Sequence, residues 1–289
     1  MINHSISTTS SIVISGASSG IGKACAIYLD KLGYKVYAGV RKESDGVALR
    51  EKTSNRLVPI LLDVTKEESI KVATNIIKTS NTNLVGLVNN AGIAVAGPLE
   101  LLPLTQLRKQ IEVNVIGHIA VIQAFLPLLR NSQGRIINMS SDNGKVSVPF
   151  LGPYCASKFA LEALTDALRS ELAPWGIAVS LIEPGIVKTS IWDKSTVKAD
   201  NIWDHLPHET KNLYGEVKKS LAHTAEKLSH QGCSPEVVAK TVSYALTTKH
   251  PKARYVVGWD AKLNILLSKI LPERMFDSLL MTYLGLSNN

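Results

Sequence analysis

Strand-length apolar runs alternate with helix-length amphipathic stretches along most of this chain, and that rhythm limits the folds open to it. Ser11–Ser15, Lys35–Gly39, Leu57–Leu62, Leu84–Val88, Arg135–Met139, Ala178–Ile182 and Tyr255–Val257 read as strands. They are rich in Val, Ile and Leu with little apolar/polar alternation, the pattern of strands covered on both faces. Gly20–Leu32, Lys66–Thr79, Thr105–Leu129, Pro153–Ala173 and Pro235–Thr248 read as the helices between them. This succession predicts an α/β fold, a doubly wound parallel sheet of about seven strands with helices on both faces and right-handed crossovers. Ligands of such a sheet bind beyond the carboxyl ends of its strands.

Two segments depart from the rhythm. Residues 185–232 are polar and irregular and read as an insertion over the strand ends. Residues 259–289 follow the last strand and are amphipathic, with Leu263, Leu266, Leu267, Ile270, Phe276 and Leu279 among the apolar positions. With no linker or repeat, the 289 residues read as one domain: a core over about 10–258, a lid over about 185–232 and a C-terminal extension over about 259–289. An apolar share of 45% against 19% charged excludes disorder for the bulk of the chain. The formal charge of +8 comes from scattered Lys and Arg without aromatic interleaving, so no nucleic-acid partner is expected. Cys25, Cys155 and Cys233 are odd in number and widely spaced, which suits a reducing compartment rather than a disulfide framework. The longest apolar stretch, Ile119–Leu129, contains Gln123 and Pro127 and falls short of the ~18 residues of a membrane span. Met1–Ser11 lacks a signal-peptide pattern, and the expectation is a cytoplasmic protein without a membrane span.

The first strand runs into Ser15-Gly16-Ala17-Ser18-Ser19-Gly20-Ile21-Gly22, and a helix follows. Glycines at 16, 20 and 22 allow a tight turn, close backbone approach to a pyrophosphate and close helix–strand packing. The N–H groups at the helix start attract phosphate. Gly16 to Gly20 also spells G-x-S-x-G, the nucleophile-elbow pattern of hydrolases, with Ser18 as nucleophile. The elbow normally follows several strands, whereas this one follows the first, and no His-Gly-Gly-Gly segment is present.

Tyr154 and Lys158 lie four apart at the start of a helical pattern and share a face. A nearby ammonium favours phenolate and makes a phenol a usable acid or base near neutral pH. Ser141 sits just past the strand that ends at Met139, where a hydroxyl can bind a substrate carbonyl.

Ser15–Gly22, Asn89-Asn90-Ala91-Gly92, Ser141, Tyr154-Cys155-Ala156-Ser157-Lys158 and Pro184-Gly185 together resemble the short-chain dehydrogenase/reductase family, in order and spacing, over about Ser10 to Gly258. The resemblance implies a Rossmann fold. It implies that Tyr154 exchanges the proton, Ser141 holds the carbonyl oxygen, and Lys158 lowers the Tyr154 pKa and bonds the nicotinamide ribose. Asn114 matches the family's fourth catalytic residue, which anchors a water relay to the lysine. Gly16, Ser18, Ser19, Gly20, Ile21 and Gly22 would form the dinucleotide loop. Asp63-Val64 resembles the adenine-binding Asp-Val, Asn90 the residue lining the adenosine ribose, and Val187 and Thr189 the nicotinamide end. Ser15 departs from the family's usual Thr but keeps the hydroxyl.

NAD-dependent members carry an acid at the end of the second strand, where it meets the ribose 2′-OH. Here that position reads as Gly39, with Arg41 and Lys42 close behind. A guanidinium forms a charge-assisted fork with a 2′-phosphate, so the expected cofactor is NADP(H). The long lid and tail resemble the branch of hydroxysteroid and retinol dehydrogenases and related bacterial carbonyl reductases. That implies a lipophilic ketone, aldehyde or secondary alcohol as substrate, with Val146, Val148, Pro149, Leu151, Ile191 and Trp192 as candidate pocket walls.

The tail has three readings: it completes the core, meets another subunit, or lies on a membrane surface with Lys262, Lys269 and Arg274 near the headgroups. By family analogy the Thr105–Leu129 and Pro153–Ala173 helices form the interface of a homodimer or homotetramer. His205, His208, His223 and His230 have no carboxylate or Cys partner at ligand spacing, so no metal is expected. The alternatives are an NAD-dependent 3-hydroxyacyl or 3-oxoacyl dehydrogenase and a non-catalytic dinucleotide-sensing regulator. A sensor has no need of the Tyr154 proton donor.

Overall fold

The computed structural model describes residues 10–189, 191 and 208–286. The strands β1 (Ser10–Ile14), β2 (Lys35–Val40), β3 (Leu57–Leu61), β4 (Asn83–Asn89), β5 (Arg135–Met139), β6 (Ala178–Pro184) and β7 (Arg254–Val257) form one seven-stranded sheet in the order β3-β2-β1-β4-β5-β6-β7. Every pairing is parallel. The helices are α1 (Gly20–Lys31), α2 (Glu43–Arg50), α3 (Glu67–Thr79), α4 (Leu104–Ile111), α5 (Gly117–Ser132), α6 (Gly152–Leu172), α7 (His208–Gln231), α8 (Pro235–Thr247), α9 (Trp259–Ile270) and α10 (Glu273–Tyr283).

The sheet is covered on both faces, which accounts for strands without alternation. On β1, Ile12 and Ile14 pack with Cys25 and Leu29 of α1 and Val238 and Val242 of α8. Val13 points the other way and packs with Ile70 and Ile77 of α3 and Val121 and Phe125 of α5. Burying a Leu- or Phe-sized side chain stabilises by roughly 1.5–3 kcal/mol, so each face of the sheet contributes substantially. The chain winds outward from β1 to β3, then crosses back to lay β4 on the other side of β1. The carboxyl ends of β1 and β4 therefore open the crevice at which such sheets bind ligands.

The seven expected strands are all present, with ends moved by a residue or two. The helix α2 is absent from the sequence reading. It is polar apart from Val47, Ala48 and Leu49, and it starts with Glu43 and Asp45 and ends with Arg50, charges that suit its dipole. The expected Thr105–Leu129 helix runs from Leu104 to Ser132, with a π-helical turn over Glu112–Ile116. This run corrects one expectation. By length and composition Leu104–Ser132 is apolar enough to cross a membrane. In this fold its apolar residues Val121, Ile122, Phe125 and Leu129 are buried against the sheet.

Candidate active site

The glycine turn is built by close packing across the β1–β4 switch point. Gly16 has φ +67° and Gly20 φ +57°, a region that non-glycine residues rarely adopt. A Cβ on Gly16 would lie 2.7 Å from Ala91 Cα, and one on Gly22 2.3 Å from Gly16 O. The buried Ser15 Oγ accepts from the backbone N–H groups of Asn90 and Ala91, each at 3.0 Å. Asn90 Nδ2 donates to Ser15 O and Gly16 O, both at 3.1 Å. Asn90 thus clamps the loop in addition to facing the crevice. Gly16, Ser18, Ser19, Gly20 and Ile21 line a cavity of about 1790 Å³, and Gly22 packs behind them.

Val40, Arg41, Lys42, Asp63, Val64 and Asn90 line the same cavity. Gly39 does not. A Cβ there would meet Ile14 O and Leu62 Cδ2 at 2.9 Å, so the interior of the sheet has no room for an acid at 39. The end-of-strand position that faces the cavity is Val40, one residue later than the sequence reading placed it, and Arg41 follows it, exposed. Asp63 Oδ1 accepts from Thr65 N at 3.1 Å and Thr65 Oγ1 at 2.8 Å, shaping its own turn. Val64 packs against Gly117, where a Cβ would come within 2.7 Å of Val64 Cγ2. Val187 bridges to Cys233, and Thr189 lies against Gly20.

Ser141, Tyr154 and Lys158 converge at the carboxyl end of β5 and the start of α6, and all three line the cavity. Ser141 Oγ lies 2.9 Å from Asp142 Oδ1 and 3.3 Å from Pro184 O, accepts from Asn143 N at 3.2 Å, and bonds the Tyr154 hydroxyl. Lys158 Nζ donates to Met139 O at 2.7 Å and lies 5.6 Å from the Tyr154 ring centroid. Burial holds the Lys158 amine down to about 8, opposed by the Glu162 carboxylate.

One expectation is corrected here. Tyr154 is held above the usual phenol range, first by burial and then by the Asp142 charge, while the Ser141 hydrogen bond works the other way. The Lys158 ammonium donates to Met139 O, and desolvation of the phenol outweighs the charges around it. Asn114 is fully buried in the π-helical turn. Its Oδ1 accepts from Ile93 N at 2.9 Å, and its Nδ2 donates to Ile93 O at 3.0 Å and Ser157 Oγ at 3.1 Å. Its side chain therefore braces the loop after β4 against α6 and does not line the cavity.

Val148, Pro149, Leu151 and Ile191 line the cavity as expected. Val146 does not; it is buried behind the wall. Trp192 and His205 lie outside the described residues, as do the side chains of His208 and His230; His223 is exposed. The lid helix α7 adds Tyr214 and Val217, and the tail adds Leu263, Leu267, Phe276 and Leu280. Tyr214 packs edge-on to Phe150 with centroids 6.3 Å apart and hydrogen-bonds Glu100. Ser220 Oγ reaches Leu284 O at 3.0 Å, tying α7 to the tail. The inner face of the tail thus closes the cavity, whereas Leu266, Ile270 and Met275 stay exposed.

Sequence reading missed Asp142, Asn264 and His118. Asp142 directly follows Ser141, which was the available signal. Asn264 is brought in only by tertiary folding. His118 is fully buried, with Nε2 2.6 Å from Ala91 O, so this imidazole serves the loop after β4 rather than Ser18. Among the described residues, no group of three or more His, Cys, Asp or Glu is arranged to hold a metal ion.

Residues 10–200 match the short chain dehydrogenase family model. The chain is 40% identical to retinol dehydrogenase 16 of Mus musculus over 278 residues, 93% of this chain and 87% of that protein. It is 38% identical to 17-beta-hydroxysteroid dehydrogenase type 6 of Bos taurus, with the same coverage. Among solved structures it resembles a short-chain dehydrogenase from Streptomyces avermitilis, with a TM-score of 0.74, 27% identity and coverage of 89% of this chain and 91% of that one.

Proposed function

The chain belongs to the short-chain dehydrogenase family, an oxidoreductase family, and we propose that it is an NADP(H)-dependent enzyme acting on a lipophilic ketone, aldehyde or secondary alcohol. The convergence of Ser141, Tyr154 and Lys158 on one wall of an apolar-lined cavity carries this reading. The residues present fit a dinucleotide. The start of α1 offers its unpaired N–H groups to a phosphate beside a turn that close packing keeps free of side chains. Arg41 and Lys42 stand at the end of β2, where a carboxylate would select against a 2′-phosphate.

A bound nicotinamide dinucleotide would supply or take the hydride. Ser141 orients the substrate oxygen. Tyr154 gives it a proton in reduction and removes one in oxidation. Lys158 supports the phenol and the ribose, and Arg41 takes the 2′-phosphate. The tail and lid exclude water from the reacting carbon. Relatives named for retinol and a hydroxysteroid support a bulky apolar substrate, as do Leu263, Leu267 and Phe276 on the wall. By analogy with the family, the enzyme works as one domain and as a homodimer or homotetramer through the α4–α5 and α6 helices. Cys25, Cys155 and Cys233 are all free, which supports a reducing, cytoplasmic setting.

Paired titrations of NADPH and NADH, followed by nicotinamide fluorescence, test the cofactor choice. Wild type binds NADPH more tightly, and Arg41→Ala removes that preference, a loss of about 2 kcal/mol for a charge-assisted contact. Equal or tighter NADH binding by wild type would contradict it.

A further inference from the structure

The catalytic serine has a carboxylate of its own. Asp142 is 7% exposed and sits in the short 3₁₀ turn that Ser141 caps. Its Oδ1 lies 2.9 Å from Ser141 Oγ, and its Oδ2 accepts from Asn264 Nδ2 at 3.2 Å. Asn264 belongs to α9, in the C-terminal extension. The start of that helix is pinned separately, where Asp260 Oδ2 accepts from Ile186 N at 2.6 Å. Asp142, Asp260 and Asn264 all line the cavity. Two short polar contacts thus connect a residue far along the chain to the serine that touches Tyr154.

A serine hydroxyl has one proton and two lone pairs. When the Ser141 hydroxyl donates to the Asp142 carboxylate, its proton is turned away from the Tyr154 oxygen, where it would stabilise a phenolate. The same negative charge opposes ionisation of the phenol. Resting on the oxidoreductase reading above, we propose that Asp142 is a positioning residue that acts through Ser141 to keep Tyr154 in its proton-donating form. Asn264 holds Asp142 for that task, so the C-terminal extension completes the catalytic centre. The arrangement favours carbonyl reduction over alcohol oxidation at neutral pH, because reduction consumes a Tyr154 proton and oxidation needs the phenolate.

The other titratable groups around this pair are accounted for. Lys158 and Cys155 face it from α6, and Asp260 faces it from α9, with Tyr283 of α10 beyond. Burial pushes the Asp142 carboxyl up, and the Asp260 charge adds to that. The bonds from Asn264 and Ser141 pull it back toward the carboxylate.

The test is the pH profile of kcat/KM for retinol oxidation with NADP⁺ and retinaldehyde reduction with NADPH, in wild type, Asp142→Asn, Asn264→Leu and the double variant. In Asp142→Asn the acid limb of oxidation moves about one pH unit lower, because the charge that opposed the phenolate is gone. Reduction near neutral pH falls in kcat with little change in KM. Asn264→Leu shifts the limb in the same direction, and the double variant matches Asp142→Asn alone, because Asn264 acts through Asp142. Superimposable profiles in wild type and Asp142→Asn, or additive effects in the double variant, would overturn the proposal. Wild type that binds NADPH but turns over neither substrate, nor a steroid ketone, would instead sink the functional reading on which it rests.

Discussion

The Lys158 ammonium lies 5.6 Å from the centroid of the Tyr154 ring and donates to Met139 O, so the lysine ties the start of α6 to the end of β5 beside the phenol. The two side chains share a helix face by their spacing of four. Their charges are set by burial first, and then by Glu162 for the amine and by Ser141 and Asp142 for the phenol. A buried amine held down to about 8 costs stability that only its function can justify.

Lys158→Met removes that cost. Below about pH 8 the amine is charged in both folded and unfolded chains, and the folded state bears the full penalty, about 3 kcal/mol for a shift from 10.5 to about 8. Between about 8 and 10.5 the unfolded chain holds the proton that the folded chain has lost, so the penalty fades as pH rises. In urea melts of the nucleotide-free protein at pH 7, Lys158→Met is at least as stable as wild type, and its margin narrows toward pH 10. Turnover falls at least ~100-fold, the scale of a lost acid–base contribution. A variant that loses stability at pH 7 contradicts the burial argument.

His118 sets an acid limit. Burial and the Lys158 charge hold its imidazole down to about 4, below its ordinary 6.5. Between these values the unfolded chain binds a proton that the folded chain refuses, so stability is lost as pH falls through that window. His118→Gln can keep a donor for Ala91 O and cannot titrate. The drop in unfolding free energy between pH 7 and 4.5 shrinks by about 2 kcal/mol in this variant. An unchanged drop would show that other groups set the acid limb.

Gly22→Ala tests the turn. Its Cβ would fall 2.3 Å from Gly16 O and 2.4 Å from Asn90 Nδ2, and neither atom can withdraw without breaking the clamp between β1 and β4. The variant loses stability by about 1–3 kcal/mol, the range for an overpacked site. NADPH binding weakens at least tenfold. Native stability together with native NADPH affinity would show that the turn yields more freely than its packing implies.

The parallel sheet was legible because burial on both faces leaves Val- and Ile-rich runs whose lengths alone identify strands. The turn and the Ser141, Tyr154 and Lys158 positions were legible because their spacing along the chain survives folding. What was missed depends on three-dimensional placement. Gly39 and Val40 are neighbours, and only the side each faces decides which could carry an acid. Asn114 shows its residue type in the sequence, and only the fold shows that its amide bonds Ile93 and Ser157. The short helix α2 has too few apolar residues to show a period. Asn264 comes from the other end of the chain, and no local pattern could link it to Asp142. Gln123 and Pro127 interrupt the apolar run within Leu104–Ser132 without lowering its average hydropathy below that of a membrane span.

In the proposed reaction Tyr154 exchanges the proton while the rest of the site binds the dinucleotide. Tyr154→Phe tests it directly, with NADPH affinity measured by nicotinamide fluorescence and retinaldehyde reduction measured on the same preparation. NADPH binding stays within about fivefold of wild type, since the deleted hydroxyl's bond to Ser141 is worth only ~1 kcal/mol, and reduction is lowered by 10²-fold or more. Reduction at near wild-type rate in Tyr154→Phe would contradict it.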